Sequence, residues 1–251
     1  MIKILAIGNS FSQDATAYLH SIADAAGTNI KVVNLYIGGC SLKTHWENIT
    51  CDAYLYDYEP NGHTTDRKAS IKEALLEESW DYVTLQQVSG DSGLIDTFYP
   101  YIQKISEYVK LLNPNTTLLL HQTWAYELDS EHPSFINYSR DQQKMHKAIR
   151  DTYQIIASNL NLSVIPSGEV IQELRSTPTF NYSKGGTSLC RDGFHMHLIY
   201  GRYALAATWY EFILKQSILE NRYLPPAMNG EEIDPLKLQL IKETVHRYLL
   251  H

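Results

Sequence analysis

The chain has 251 residues, 44% of them hydrophobic and 20% charged, with a formal net charge of -7 and a pI near 5.8. This composition excludes a disordered chain and suits one large α/β domain over residues 1–251. No dense Lys/Arg stripe appears, which argues against a nucleic-acid partner, and no apolar run is long enough to span a membrane.

The first apolar run, Ile2 to Ile7, predicts a buried strand ending at Gly8. Asn9, Ser10 and Ser12 form a polar turn, and a helical pattern is expected from near Gln13, running over Ala15 to Ala26 and closed by Gly27. Ile30 to Ile37 reads as the second strand, followed by Gly38-Gly39. Residues 42–69 break the alternation. Within them Tyr54, Tyr56 and Tyr58 precede Pro60-Asn61-Gly62, which predicts a β-hairpin insertion near 53–67, over or beside a cleft. Ser70-Ile-Lys-Glu73 is a capping box, and Trp80 to Gln87 is the third strand.

A helix is expected from Gly93-Leu94 to Leu112, then a strand over Thr116–His121, a polar loop with Trp124 and Tyr126, and a long helix over Ser139–Leu160. Leu162 to Ile165 is the fifth strand, and Met196 to Leu219 a further helix. A linker holding Pro225-Pro226 and Asn229-Gly230 precedes a last helix capped by Asp234-Pro235. Strands alternating with helices predict a three-layer α/β/α sandwich on a five-stranded parallel sheet, flavodoxin-like, in the order 2-1-3-4-5.

Chemistry in such folds gathers beyond the carboxyl ends of the strands. Ser10 sits at one such end and Asp192-Gly-Phe-His195 lies near the other terminus. A carboxylate three residues from a histidine can fix its tautomer, leaving the other ring nitrogen to take a serine proton. Each residue also has a plainer reading. Ser10 could cap a helix, Ser12 is the fallback nucleophile, and Asp192 could be an N-cap. His197 reads as a surface residue or as one that supports the site from behind, since spacing supplies no third metal ligand. Cys40, Cys51 and Cys190, an odd count without CxxC spacing, give neither a disulfide framework nor a zinc site.

Gly8-Asn9-Ser10, Gly38-Gly39 and Asp192-x-x-His195 together resemble the SGNH, or GDSL-type, hydrolase superfamily. The resemblance implies a Ser10–His195–Asp192 triad without cofactor or metal. It also implies an oxyanion hole from the N–H groups of Ser10 and Gly39, with Gly38 as the alternative. The chain departs from the superfamily at its third block, where Gly-x-Asn-Asp is usual and Val83-Thr-Leu-Gln86-Gln87 stands here. Gln87, or else Gln86, is expected to replace the missing Asn amide. Loss of one such donor costs roughly 10²–10³ in rate.

The implied activity is serine esterase chemistry on a carbohydrate or similar small ester. Asn9, Trp124 and Tyr126 are candidate substrate contacts. The alternative is an esterase-like carbohydrate-binding protein of weak activity. A phosphate-ligand protein is disfavoured because neither GxGxxG nor a P-loop lysine is present. Met1 runs into a strand without a charged n-region, so a cytoplasmic address is expected, or a periplasmic or secreted one if a leader was removed. The oligomeric state is open.

Overall fold

The first strand, β1 (Ile2–Gly8), buries Ile4, Leu5, Ala6 and Ile7 although neighbours point to opposite faces. A strand covered on both sides belongs in the middle of a sheet with helices above and below. The computed structural model describes residues 1–228 and 230–250; Asn229 of the expected linker and His251 lie outside the described residues.

β1 pairs in parallel with β2 (Ile30–Tyr36) on one side and with β5 (Tyr82–Leu85) on the other. β5 continues in parallel to β6 (Thr117–His121) and then to β7 (Ser163–Ile165). On the far side of β2 lie β3 (Tyr56–Pro60) and β4 (Lys68–Ala69), both paired antiparallel. The sheet is therefore mixed and seven-stranded, in the order β4-β3-β2-β1-β5-β6-β7. β2, β1, β5, β6 and β7 are parallel and stand in the expected order, but the expectation of a five-stranded, wholly parallel sheet is corrected by the two antiparallel strands added beyond β2. The hairpin around Asn61-Gly62 satisfies the open N–H and C=O groups on the edge of β2, so it extends the sheet instead of hanging over a cleft.

α1 (Ser10–Thr16) and α2 (Leu19–Ala25) follow β1. The helix thus starts at Ser10, not near Gln13, and breaks at Ala17-Tyr18. α3 (Leu42–Thr50) forms in the stretch that breaks the alternation, ahead of the expected hairpin, and is capped by Ser41, whose Oγ accepts from Thr44 N–H. α4 (Ile71–Glu77) has the expected Ser70 cap. Two short 3₁₀ turns precede α5 (Tyr101–Leu112), so that helix begins later than Gly93. α6 (Gln142–Leu160), α7 (Ser167–Ser176), α8 (Tyr200–Leu214) and α9 (Pro235–Leu249) complete the chain. α3, α4 and α5 pack on one another, and α1, α2, α7, α8 and α9 form a second group. α8 is buried nearly all round, as its apolar sequence requires. Among the described residues, no helix is long and apolar enough to cross a membrane.

Candidate active site

Ser10 occupies the first position of α1, where a backbone N–H has no intrahelical partner. Asn9 is the N-cap; its Oδ1 accepts from Phe11 N–H at 3.0 Å. The side chain that caps the helix is thus Asn9, which leaves Ser10 Oγ free for other partners. Ser12 is buried, with its single hydroxyl proton shared between the Asn9 carbonyl and Asn34 Oδ1, so it is no second nucleophile at the surface. Gly8 has to be glycine, because a Cβ there would lie 2.3 Å from Ser12 Oγ.

Ser10 Oγ lies 2.9 Å from His195 Nε2, across 185 residues of sequence. His195 Nδ1 lies 2.7 Å from Asp192 Oδ2. The other carboxylate oxygen, Oδ1, accepts from the backbone N–H groups of Phe194 and His195. Partial burial works to raise the Asp192 carboxyl. The hydrogen bonds from the His195 ring and from these N–H groups outweigh it and hold the carboxyl below its ordinary range. Asp192 is thereby kept ionised and aimed at the ring.

The loop that carries Asp192 and His195 is fastened to α1. Asp14, one helical turn beyond Ser10, is 0% exposed. Its carboxylate accepts from Arg191 Nη1 at 3.0 and 3.1 Å, from Arg202 Nε at 2.8 Å and from Met196 N–H at 2.8 Å. Neither Asp14 nor Arg202 stands out in the sequence. The one signal is the i, i+4 spacing from Ser10, which places Asp14 on the same helix face.

Trp124 and Tyr126 are buried, so they form no open sugar-stacking wall. Trp124 instead stacks on Phe11 at 4.0 Å and donates from Nε1 to the Phe194 carbonyl at 2.8 Å. It braces the serine turn and the histidine loop together. The Tyr126 hydroxyl meets Ser89 Oγ at 2.8 Å. Asn9 is buried too, with its amide donating to the Cys40 carbonyl at 3.0 Å. All three expected substrate contacts are scaffold, because each polar group already has an internal partner. His132, unremarked in the sequence, rests 4.7 Å from the Phe194 ring. Burial, and after it the proximity of the His195 imidazole, hold its imidazole below the ordinary range.

Gly39 lies exposed in a turn with φ +65°, and Cys40 N–H closes it on the Ile37 carbonyl. The expectation for Gln87 is corrected. Its Oε1 accepts from Leu42 N–H, and its Nε2 donates to the Thr97 carbonyl at 3.0 Å. It holds the start of α3, on the opposite side of the strand from Ser10's turn. Gln86 is the one on the serine side, with Nε2 donating to Asn9 Oδ1 at 2.8 Å. The thiol of Cys40 is no rival nucleophile, since burial pushes its pKa up to about 12. Among the described residues, no group of three or more His, Cys, Asp or Glu is arranged to hold a metal ion. His197 pairs with Glu231 at 3.1 Å instead.

A family model described as "Domain of unknown function (DUF4886)" matches residues 3–240. A DUF4886 family protein from Bacteroides uniformis shares 36% identity with the chain, with a TM-score of 0.89 over 100% of this chain and 95% of that one. An SGNH hydrolase candidate from Slackia heliotrinireducens superposes with a TM-score of 0.57 at 18% identity, covering 84% of this chain and 98% of its own. An acetyl xylan esterase, AlAXEase, superposes with a TM-score of 0.59 at 15% identity, covering 84% and 100%. These last two likenesses concern the fold. No curated protein matches the chain.

Proposed function

Taking as premise that the chain belongs to the DUF4886 family, we propose that it is a serine hydrolase of carboxylic esters. The observation that carries this reading is the unbroken line from Ser10 Oγ through the His195 ring to Asp192, at 2.9 and 2.7 Å. Ser10 Oγ adds to the ester carbonyl carbon while its proton passes to His195 Nε2. The N–H groups of Ser10 and Gly39 are the donors proposed to receive the oxyanion. Collapse breaks the bond to the alkoxy oxygen, which takes the proton from His195 and leaves as alcohol. Water then adds to the acyl-Ser10 ester, giving its proton to His195, and the acid departs as Ser10 regains a proton.

The substrate proposed is a small acyl group, acetate first, on a carbohydrate or similar polyol. A cavity of about 410 Å³ at the Asp192 end of the triad is lined by Asp129, Glu131, Tyr182, Ser188, Arg191 and Asp192, and by neither Ser10 nor His195; its polar groups suit hydroxyls next to the site. The fold likeness to an acetyl xylan esterase supports the same choice. One observation favours the second reading, a carbohydrate binder of weak activity. The Gln87 amide is consumed by Leu42 and Thr97, which leaves the oxyanion hole to backbone groups.

Ser10→Ala is expected to abolish hydrolysis of 4-nitrophenyl acetate and labelling by a fluorophosphonate, with the fold intact by circular dichroism. Labelling of wild type at another residue, or full turnover by the variant, refutes the assignment. Binding of acetylated sugars without any turnover selects the second reading.

A further inference from the structure

Four neighbouring strand ends are joined side by side at the carboxyl edge of the sheet. His121 ends β6, Gln86 follows β5, Asn9 follows β1, and Cys40 lies in the loop after β2. His121 Nδ1 lies 2.6 Å from Gln86 Oε1, Gln86 Nε2 donates to Asn9 Oδ1 at 2.8 Å, and Asn9 Nδ2 donates to the Cys40 carbonyl at 3.0 Å. All three side chains are buried.

The polarity of this line is dictated from one end. Phe11 N–H donates to Asn9 Oδ1, so that atom is the oxygen. Gln86 must therefore meet it with nitrogen and turn its own oxygen toward His121. A carbonyl oxygen accepts, so His121 Nδ1 carries the hydrogen. Burial keeps the imidazole neutral, lowering its pKa to about 3. Its Nε2 is a buried atom with no partner, and the ring meets Trp209 edge-on at 4.8 Å. An aliphatic side chain would suit those surroundings without orphaning a nitrogen. What histidine supplies there is the single Nδ1–H donor.

We propose that His121 is a positioning residue. Through Gln86 it locks the Asn9 side chain, and so holds the Gly39-Cys40 loop against the Ser10 turn where an oxyanion would form. The catalytic consequence rests on the esterase reading; the tether of the loop does not. The residue touches no reacting atom and acts through two intermediaries.

The test compares variants that lose the donor, His121→Leu and Gln86→Met, with His121→Asn, whose amide nitrogen can stand where Nδ1 does. With 4-nitrophenyl acetate, and rates normalised to the serine titrated by a fluorophosphonate, kcat is expected to fall about tenfold in the first two with KM within about twofold. His121→Asn is expected to stay within about threefold of wild-type kcat, since it restores the hydrogen bond. Amide hydrogen exchange at Gly39 and Cys40 is expected to quicken in the first two variants only. If His121→Leu fails to fold, Gln86→Met against wild type decides alone. Unchanged exchange at the loop, or an equal kcat loss in His121→Asn, overturns the proposal. Quickened exchange in a protein that neither labels at Ser10 nor turns over overturns the esterase reading and keeps the tether.

Discussion

Replacing Asp14 with asparagine removes one charge from a site with no solvent exposure and three donors converging on it. The shape is nearly conserved, so the loss is electrostatic. The remaining amide oxygen can serve two of the three donors, as each carboxylate oxygen does now. The new NH₂ faces guanidinium or N–H groups that need an acceptor. A hydrogen bond to a charged group is worth about 1.5–3 kcal/mol, and breaking a buried ion pair about 3–5 kcal/mol. Arg191 and Arg202 keep side-chain exposures of 28% and 19%, so water recovers part of their solvation. We therefore expect a loss of about 2–3 kcal/mol, or roughly 4–12 °C in the thermal midpoint at this chain length. Asp14 also ties the Met196 N–H, next to His195, to the helix that begins with Ser10. Turnover per titrated serine is therefore expected to drop about tenfold, since a displacement of about 1 Å can cost more than that. Differential scanning calorimetry and 4-nitrophenyl acetate hydrolysis give the two readouts. A midpoint and a rate both within error of wild type would show that Asp14 does not fasten the histidine loop.

Trp124→Phe keeps the ring stacked on Phe11 and removes only the indole N–H bond to the Phe194 carbonyl. Stability is expected to fall by about 1–2 kcal/mol in urea unfolding, with a lower kcat and an unchanged KM; a raised KM alone would mean that Trp124 touches substrate. His121 supplies a pH prediction with a definite sign. Its folded pKa is lowered to about 3 from an ordinary 6.5, so the unfolded chain binds the proton first as pH falls. Stability from this group is complete above pH 6.5 and drains away below it, by up to about 1.4 kcal/mol per pH unit. Urea unfolding at pH 7, 6 and 5 is expected to show a slope shallower by that share in His121→Asn. Identical slopes in the two proteins would mean that His121 is protonated in the folded state.

Much of the architecture follows from periodicity that any reader of the chain can see. Continuous apolar runs such as Ile2–Ile7 demand cover on both faces, and Ser70-x-x-Glu73 starts a helix by local hydrogen bonding. Asp192 and His195 are three residues apart, so their contact at 2.7 Å is a short-range matter. The hairpin's place was not legible, because joining β2 depends on which strand edge remains unpaired after the sheet assembles. α3 was missed since its apolar positions are few and its cap, Ser41, lies in a Gly-rich stretch.

At the site, the chain by itself nominated a serine, a histidine and an aspartate by residue type and local spacing. Their approach across 185 residues is a tertiary fact. Gln86 and Gln87 are adjacent and chemically identical, and nothing local tells them apart. Strand alternation puts them on opposite sides, and only the packed sheet decides that Gln86 meets Asn9 while Gln87 meets Leu42. Trp124, Tyr126 and Asn9 look like substrate contacts in the sequence because polar loops beyond strand ends commonly are. Folding buries them and spends their hydrogen bonds inside the protein. Burial is a property of what arrives from elsewhere in the chain, so local sequence determines which groups are available for chemistry, and the tertiary structure determines which of them remain free to perform it.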